Sequence, residues 1–171
     1  MEKTYVMIKP DGVQRGLIGR IIQKFEDKGL QLVGLKMTMA TDEILQEHYA
    51  ELADRPFFPD LMAYISSGPV ICMCWQGQEA VKVARSIIGA TNPLNAAMGT
   101  IRGDFGQVPG RNLIHGADSG PSASREIAIW FTDSELVEWE PALGSWIHDH
   151  WLEHFISSII NDVVKSFEDC P

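Results

Sequence analysis

The sequence predicts an α+β fold, an antiparallel sheet with helices on one face, and two observations carry this. Short β-rich runs alternate with stretches whose apolar residues recur at steps of three and four, giving the order β, α, β, helix pair, β, α, long loop, β. The 171 residues, with ordinary shares of apolar and charged side chains, suffice for one domain with a sizeable core and not for two.

Thr4-Tyr5-Val6-Met7-Ile8 is a β-rich run stopped by Lys9-Pro10-Asp11-Gly12, because proline cannot continue a ladder and Asp-Gly favours a turn. Lys9 is thereby set at the mouth of a strand. Leu17, Ile18, Ile21, Ile22 and Phe25 space a helix that ends at Lys28-Gly29, a cationic last turn with a glycine stop. Val33, Leu35, Met37 and Met39 alternate with Gly34, Lys36 and Thr38 as in a half-buried strand. Thr41-Asp42 then caps a helix running through Leu52 that carries His48 and Tyr49. Pro56 and Pro59 break it around the rings of Phe57 and Phe58, and Leu61, Met62 and Ile65 space another short helix. Residues 70–75 are a continuous apolar run suited to a strand covered on both faces. Ala80, Val81, Ala84, Ile87 and Ile88 make the next helix, with Arg85 on its other side. From Gly89 to about Ser124 the chain is rich in Gly, Pro, Asn, Asp and Ser and reads as a long irregular connection, which in a compact domain is more often functional than idle. Glu126 to Phe131 reads as the last strand, and Ser134 to Val137 as the start of a short helix.

Fourteen basic against twenty-three acidic residues give a formal charge of −9, which argues against nucleic acid as the main partner. Cys72, Cys74 and Cys170 form neither a zinc spacing nor a disulfide framework, which points to a reducing compartment. The start runs straight into a strand, and no apolar segment has membrane length, so a cytoplasmic protein without a membrane partner is expected.

His115 is the residue around which a chemistry can be assembled. It stands between apolar Leu113-Ile114 and the small run from Gly116, a glycine that would let backbone approach a ligand. A neutral imidazole whose tautomer is fixed is a good nucleophile, and carboxylates suited to fixing it lie at Asp118 and Glu126. A hydrogen-bonded structural histidine is the plain alternative. Lys9, Arg85, Arg102 and Arg111 supply cations, as phosphoryl transfer requires where transition-state oxygens carry charge. Thr91, Asn92, Thr100 and Asn112 offer neutral hydrogen bonds to phosphate or sugar, and Phe57 or Tyr49 a ring for a base. No Ser-His-Asp spacing supports acyl transfer.

Two motif matches are set aside, and a third motif is missing. Asp104-Phe105-Gly106 spells a protein-kinase magnesium motif, yet the chain lacks the His-Arg-Asp loop and the length of such a domain. His150-Trp151-Leu152-Glu153-His154 fits an inverted zinc-protease pattern, but only seventeen residues follow in which to build a third ligand and a cleft. A Walker A loop is absent, so any nucleotide must be held another way.

Tyr5-Val6-Met7-Ile8-Lys9-Pro10-Asp11-Gly12-Val13-Gln14-Arg15-Gly16, Glu47-His48-Tyr49, Arg55-Pro56-Phe57-Phe58, Gly89-Ala90-Thr91-Asn92-Pro93, Gly99-Thr100-Ile101-Arg102-Gly103-Asp104-Phe105 and Asn112-Leu113-Ile114-His115-Gly116 closely resemble nucleoside diphosphate kinases, over residues 3 to about 148. The resemblance implies a ferredoxin-like βαββαβ fold with a four-stranded antiparallel sheet. It also implies a ping-pong transfer of the γ-phosphate from a nucleoside triphosphate to a nucleoside diphosphate, with His115 carrying the phosphate. By position, Glu126 would orient the imidazole; Lys9, Tyr49, Arg85, Thr91 and Arg102 would surround the phosphates; Asn112 and Lys9 would meet the ribose; Phe57 would stack on the base. Mg2+ would bridge the β- and γ-phosphates, held mostly by the nucleotide. A homo-oligomer, tetramer or hexamer, is further implied, with the loop around Pro93 near a subunit contact.

Ala117 stands where the family usually has a serine, and Met98 and residues 106–110 also differ from the common loop sequence. A nucleotide-binding or scaffolding relative with faded activity is the second reading these departures leave. Beyond the domain at 1–148, Leu152, Phe155, Ile156, Ile159, Ile160, Val163 and Phe167 recur at helical spacing, which predicts an amphipathic helical extension over 149–171. Its acidic polar face favours packing on the protein over membrane binding, and a part in assembly is expected.

Overall fold

Four β-favouring runs pair into one antiparallel sheet: β1 (Glu2–Ile8), β2 (Gln31–Met39), β3 (Pro69–Gly77) and β4 (Ile114–Gly116), in the order β2-β3-β1-β4. The computed structural model describes residues 1–142 and 144–147. Two units divide the chain, 1–138 and 139–171. The second holds the short helix Gly144–Ile147 among its described residues. The sheet belongs to the first, with helices α1 (Pro10–Gln14), α2 (Ile18–Asp27), α3 (Asp42–His48), α4 (Phe58–Ile65), α5 (Ala80–Ile88), α6 (Ile101–Phe105) and α7 (Gly120–Trp130).

The central strands explain the layering. Alternate side chains of a strand point to opposite faces, and consecutive residues are buried over Thr4 to Ile8 of β1 and Val70 to Trp75 of β3, so both faces are covered. Val6 and Ile8, with Ile71, Met73 and Trp75, pack on Ile21 and Phe25 of α2 and Ala84 and Ile88 of α5. Tyr5 and Met7, with Val70, Cys72 and Cys74, pack on Leu45 of α3, Ile65 of α4 and Trp130 of α7. Helices therefore lie on both faces, where the sequence reading placed them on one; the two-sided burial of residues 70–75 was the signal that required it.

Residues 126–130 are the end of α7 and Phe131 its C-cap, not a strand. Ile127 and Ile129 alternate, yet Ala123, Glu126 and Trp130 are the buried residues, at helical spacing. Ser119 accepts from the Ser122 amide at 3.3 Å and Pro121 lies in the first turn, both helix-start signals. The fourth strand is instead β4, inside the segment read as irregular, and that segment also contains α6, a 3-10 turn at Pro93–Asn95 and the start of α7. Elements of three to five residues are too short to show a period. Lys9-Pro10-Asp11-Gly12 opens α1 instead of a turn, with proline at a position whose missing N–H costs nothing. The region read as a helix from Ser134 is a 3-10 turn at Asp133–Glu135.

Strand β2 forms as expected, but a bulge between Leu32 and Gly34 shifts its register. Val33 is buried, while Leu35, Met37 and Met39 stand 51%, 58% and 54% exposed along the outer half of an edge strand. The helix expected over 149–167, the His150 to His154 motif and Cys170 lie outside the described residues.

Candidate active site

The site forms where β1 and β4 end side by side. Met7 pairs with His115, so the imidazole and Lys9, two residues beyond Met7, are delivered to the same end of the sheet. Leu113 enters β4 with a φ of 71°, a left-handed conformation costly for a branched residue. It is held from two sides: its amide donates to Asp11 Oδ2 at 3.1 Å, and its carbonyl accepts from the Lys9 amide at 2.8 Å. Arg102, 3% exposed, ties the segment down further. Its Nε donates to the Asn112 carbonyl at 3.2 Å, and its two terminal nitrogens to the carbonyls of Gly89 at 3.1 Å and Ile114 at 2.6 Å. A guanidinium has five N–H donors, so donors remain for an anion.

His115 is open on one side, its side chain 20% exposed. Its Nε2 meets Glu126 Oε2 at 2.7 Å, which leaves Nδ1 as the ring nitrogen with a free lone pair. Of the two carboxylates considered, Glu126 is therefore the one that orients the ring, while Asp118 accepts from the Ser119 hydroxyl at 3.0 Å. Burial first, then Lys9, Arg102 and Arg85, holds the His115 pKa down to about 3. Burial pushes Glu126 up, against the pull of His48 and Arg125. Lys9 is lowered to about 8 by burial and by Arg102. Its ammonium donates to Asn112 Oδ1 at 2.8 Å, and the Asn112 amide donates on to the Thr91 carbonyl at 3.2 Å.

A cavity of about 720 Å³ opens over this arrangement, and Lys9, Tyr49, Phe57, Arg85, Thr91, Arg102, Asn112, His115 and Glu126 all line it. The residues nominated from motif positions thus converge from every part of the first unit. Of the two rings considered for a base, Phe57 is 52% exposed, whereas Tyr49 is 7% exposed and packs edge-on against His48. The Tyr49 hydroxyl has no hydrogen-bond partner among the described residues.

Other nominations are spent on structure. Thr100 caps α6 by accepting from the Gly103 amide at 3.1 Å, and Asn92 caps the 3-10 turn by accepting from the Leu94 amide at 3.1 Å. Gly116 lines the cavity and also packs on α5: a Cβ there would lie 2.5 Å from Ile88 Cδ1, so a larger residue would press on that side chain. Arg111 stacks on Tyr64 at 4.3 Å from the ring centre, at the rim. Tyr64, whose hydroxyl donates to Asp11 Oδ1 at 2.5 Å, was missed, though Phe57, Leu61 and Tyr64 share one helical face and all line the cavity. Ala117 is buried, in a small cluster with Val81 and Ala123.

His48, His115 and Glu126 bring potential metal-ligand atoms within 4.8 Å of one another. Two of its ring nitrogens are already engaged, since Trp130 Nε1 donates to His48 Nδ1 at 3.1 Å and His115 Nε2 is held by Glu126, while His48 Nε2 has no partner among the described residues. The other carboxylates lining the cavity, Asp60 and Asp118, do not add up to a cage for a hard cation.

Cations on several sides of one free ring nitrogen suit the handling of phosphoryl groups, and the class is a phosphotransferase. The nucleoside diphosphate kinase family model matches residues 2–136. A nucleoside diphosphate kinase of Synechococcus sp. (strain JA-3-3Ab) is 58% identical over 149 residues, 87% of this chain and 100% of the relative. One of Drosophila melanogaster is 55% identical over 148 residues, 86% of this chain and 97% of the relative. Among solved structures, a nucleoside diphosphate kinase family protein from Babesia bovis matches with a TM-score of 0.85 and 52% identity, over 86% of this chain and 100% of the other. A halophilic nucleoside diphosphate kinase from Halobacterium salinarum in complex with CDP matches with a TM-score of 0.85 and 49% identity, over 86% and 99%. The chain belongs to the nucleoside diphosphate kinase family, and its activity is the transfer of the γ-phosphate of a nucleoside triphosphate to a nucleoside diphosphate.

Proposed function

We propose that His115 carries the phosphate between the two half-reactions. The observation supporting this is the 2.7 Å contact from His115 Nε2 to Glu126, which frees Nδ1 at the floor of a cationic cavity. In the first half-reaction the Nδ1 lone pair forms a bond to the γ-phosphorus. The bond from phosphorus to the bridging oxygen breaks, and its electron pair leaves with the nucleoside diphosphate. Glu126 accepts the Nε2–H bond and offsets the positive charge that develops on the ring. In the second, a terminal oxygen of the incoming diphosphate attacks the same phosphorus and the imidazole departs with its lone pair restored.

Lys9, Arg85 and Arg102 neutralise the equatorial oxygens, and Tyr49 and Thr91 supply neutral donors. Asn112, with Lys9, meets the ribose. Phe57 stacks on the base, an interaction indifferent to base identity, which suits an enzyme serving all nucleotides. Mg2+ would be held mostly by the nucleotide's own phosphates, where it would neutralise charge, a reading supported by the lack of a carboxylate cage among the cavity's lining residues.

The kinase domain spans 1–148 and residues 149–171 form an extension with a part in assembly. A homo-oligomer, tetramer or hexamer, is supported by the uncovered Leu35, Met37 and Met39 row on edge strand β2. Light scattering of the full chain and of residues 1–149 tests both points: an unchanged subunit number on deletion removes the assembly role. A cytoplasmic location is supported by the absence, among the described residues, of any helix long and apolar enough to cross a membrane. Incubation with γ-labelled ATP tests the mechanism. An acid-labile, base-stable label is expected on the protein and absent from His115→Ala. A wild type that takes no label and converts no GDP to GTP favours the scaffolding reading.

A further inference from the structure

We infer that His48 is a positioning residue for the phosphate-accepting ring: locked in one tautomer by Trp130, it determines which nitrogen of His115 carries the proton. The inference rests on the reading of His115 as the nucleophile. It begins from an orphan. His48 is 3% exposed at the end of α3, and its Nε2 is buried with no hydrogen-bond partner among the described residues. Such a group costs free energy and calls for a compensating role.

The tautomer of His48 follows from its partner. An indole N–H only donates, and Trp130 Nε1 lies 3.1 Å from His48 Nδ1, so Nδ1 is the acceptor and the ring proton sits on Nε2. Burial and neighbouring His115 oppose a second proton and lower the His48 pKa to about 3. The ring stands edge-on to His115, 4.6 Å between centres at 74°. A His48 ring nitrogen lies within 4.8 Å of both a Glu126 carboxylate oxygen and a His115 ring nitrogen.

Two arrangements of the central pair compete. With Glu126 ionised, it accepts from His115 Nε2–H and Nδ1 is free to attack phosphorus. With Glu126 protonated, it donates to Nε2, the ring proton moves to Nδ1, and the nucleophile is lost. Burial favours the second, because it raises the Glu126 pKa. A neutral ring with an unspent N–H, fixed beside the carboxylate in a low-dielectric pocket, favours the ionised form. The other groups acting on Glu126 are Tyr5 from β1, Tyr49 after α3, Asp118 before α7 and Arg125 beside it, whose guanidinium lies 4.0 Å from Oε1. Tyr5 and Tyr49 are neutral at physiological pH, and Asp118 opposes the carboxylate charge.

The test joins a pH profile to nitrogen-15 NMR of the histidine rings. In wild type, His48 is expected as the Nε2–H tautomer; finding the proton on Nδ1 overturns the inference without any variant. His48→Phe keeps an aromatic ring and removes the N–H. Because Glu126 must be ionised, kcat falls as pH drops through its pKa, and losing the His48 dipole raises that pKa. The acid limb of kcat should therefore move up by about one pH unit from a Glu126 pKa of about 7, with about a fivefold loss at pH 7, while KM stays within twofold. His115 should shift toward the Nδ1–H tautomer. His48→Asn, whose amide can accept from Trp130 and still donate, should bring the limb back toward wild type. Trp130→Phe, which frees the His48 tautomer, should move the limb the same way and carries the test if His48→Phe does not fold. An unmoved limb with an unchanged His115 tautomer in either folded variant overturns the proposal. Labelling of wild type by γ-labelled ATP decides the reading of His115 separately.

Discussion

Replacing Arg102 by lysine keeps a positive charge in the cavity wall and removes the fork that holds β4. Three carbonyls, of Asn112, Gly89 and Ile114, now accept from the guanidinium at 3.2, 3.1 and 2.6 Å. One ammonium on a shorter stem can satisfy one of them, so two charge-assisted bonds are lost at roughly 1.5–3 kcal/mol each. The buried site makes matters worse, since an ammonium is more strongly hydrated than a guanidinium and gives up more on burial. Arg102→Lys should thus cost at least about 3 kcal/mol, or roughly 6–12 °C in Tm for a chain of this size. Urea unfolding of both proteins at one protomer concentration measures it, with the slope m compared to confirm that the same transition is followed. Activity should fall as well, because the segment being released carries His115. A loss below about 1 kcal/mol, with m unchanged, would refute the account: water would then be satisfying the carbonyls and Arg102 would act on phosphate alone.

Further outcomes are expected at Lys9, Phe57 and Asp11. Lys9, lowered to about 8, loses its proton above that pH and with it the attraction for phosphate, so kcat/KM should fall above pH 8 while kcat, measured with phosphate bound, falls later; parallel limbs would argue against it. Below pH 8 that buried charge burdens the folded state, and stability should rise with pH between the folded value and the ordinary one; Lys9→Met should gain about 1–2 kcal/mol at pH 7 in urea unfolding while losing activity, the gain reduced by the unpaired Asn112 oxygen. Phe57→Ala should raise KM for ATP and GTP alike, by about 5-fold to 150-fold as expected for stacking worth ~1–3 kcal/mol, with Tm nearly unchanged because the ring is half exposed. Asp11→Asn leaves one acceptor for the Leu113 amide and the Tyr64 hydroxyl, and should cost about 1–2 kcal/mol in urea unfolding with a drop in kcat.

How legible the protein was depends on the length scale of each signal. Strands β1 and β3 and helices α2 and α5 carry enough apolar periodicity to be read locally. Strand β4 is three residues long and α6 five, so neither shows a period, and both passed for loop. In residues 126–131 two periods coincide, and the capping at Ser119 and Pro121 was the local clue that favours helix. The alternation in β2 was read correctly as strand, but the bulge at Leu32 and Gly34 left its later apolar residues uncovered.

Resemblance by position named nine of the eighteen residues that line the cavity, because each keeps its place within its own segment. Which of them has a second duty was decided by folding. Arg102 gives three donors to the backbone, a larger residue at Gly116 would press on Ile88, and Glu126 was selected over Asp118 by distance. His48 and Trp130 are 82 positions apart, and no pattern along the chain links them. Amino-acid order sets what each segment prefers and which chemical groups it carries. Only the closing of β1 against β4, with α3 and α7 packed on one face, sets the ångström-scale distances on which hydrogen bonds, tautomers and pKa values depend.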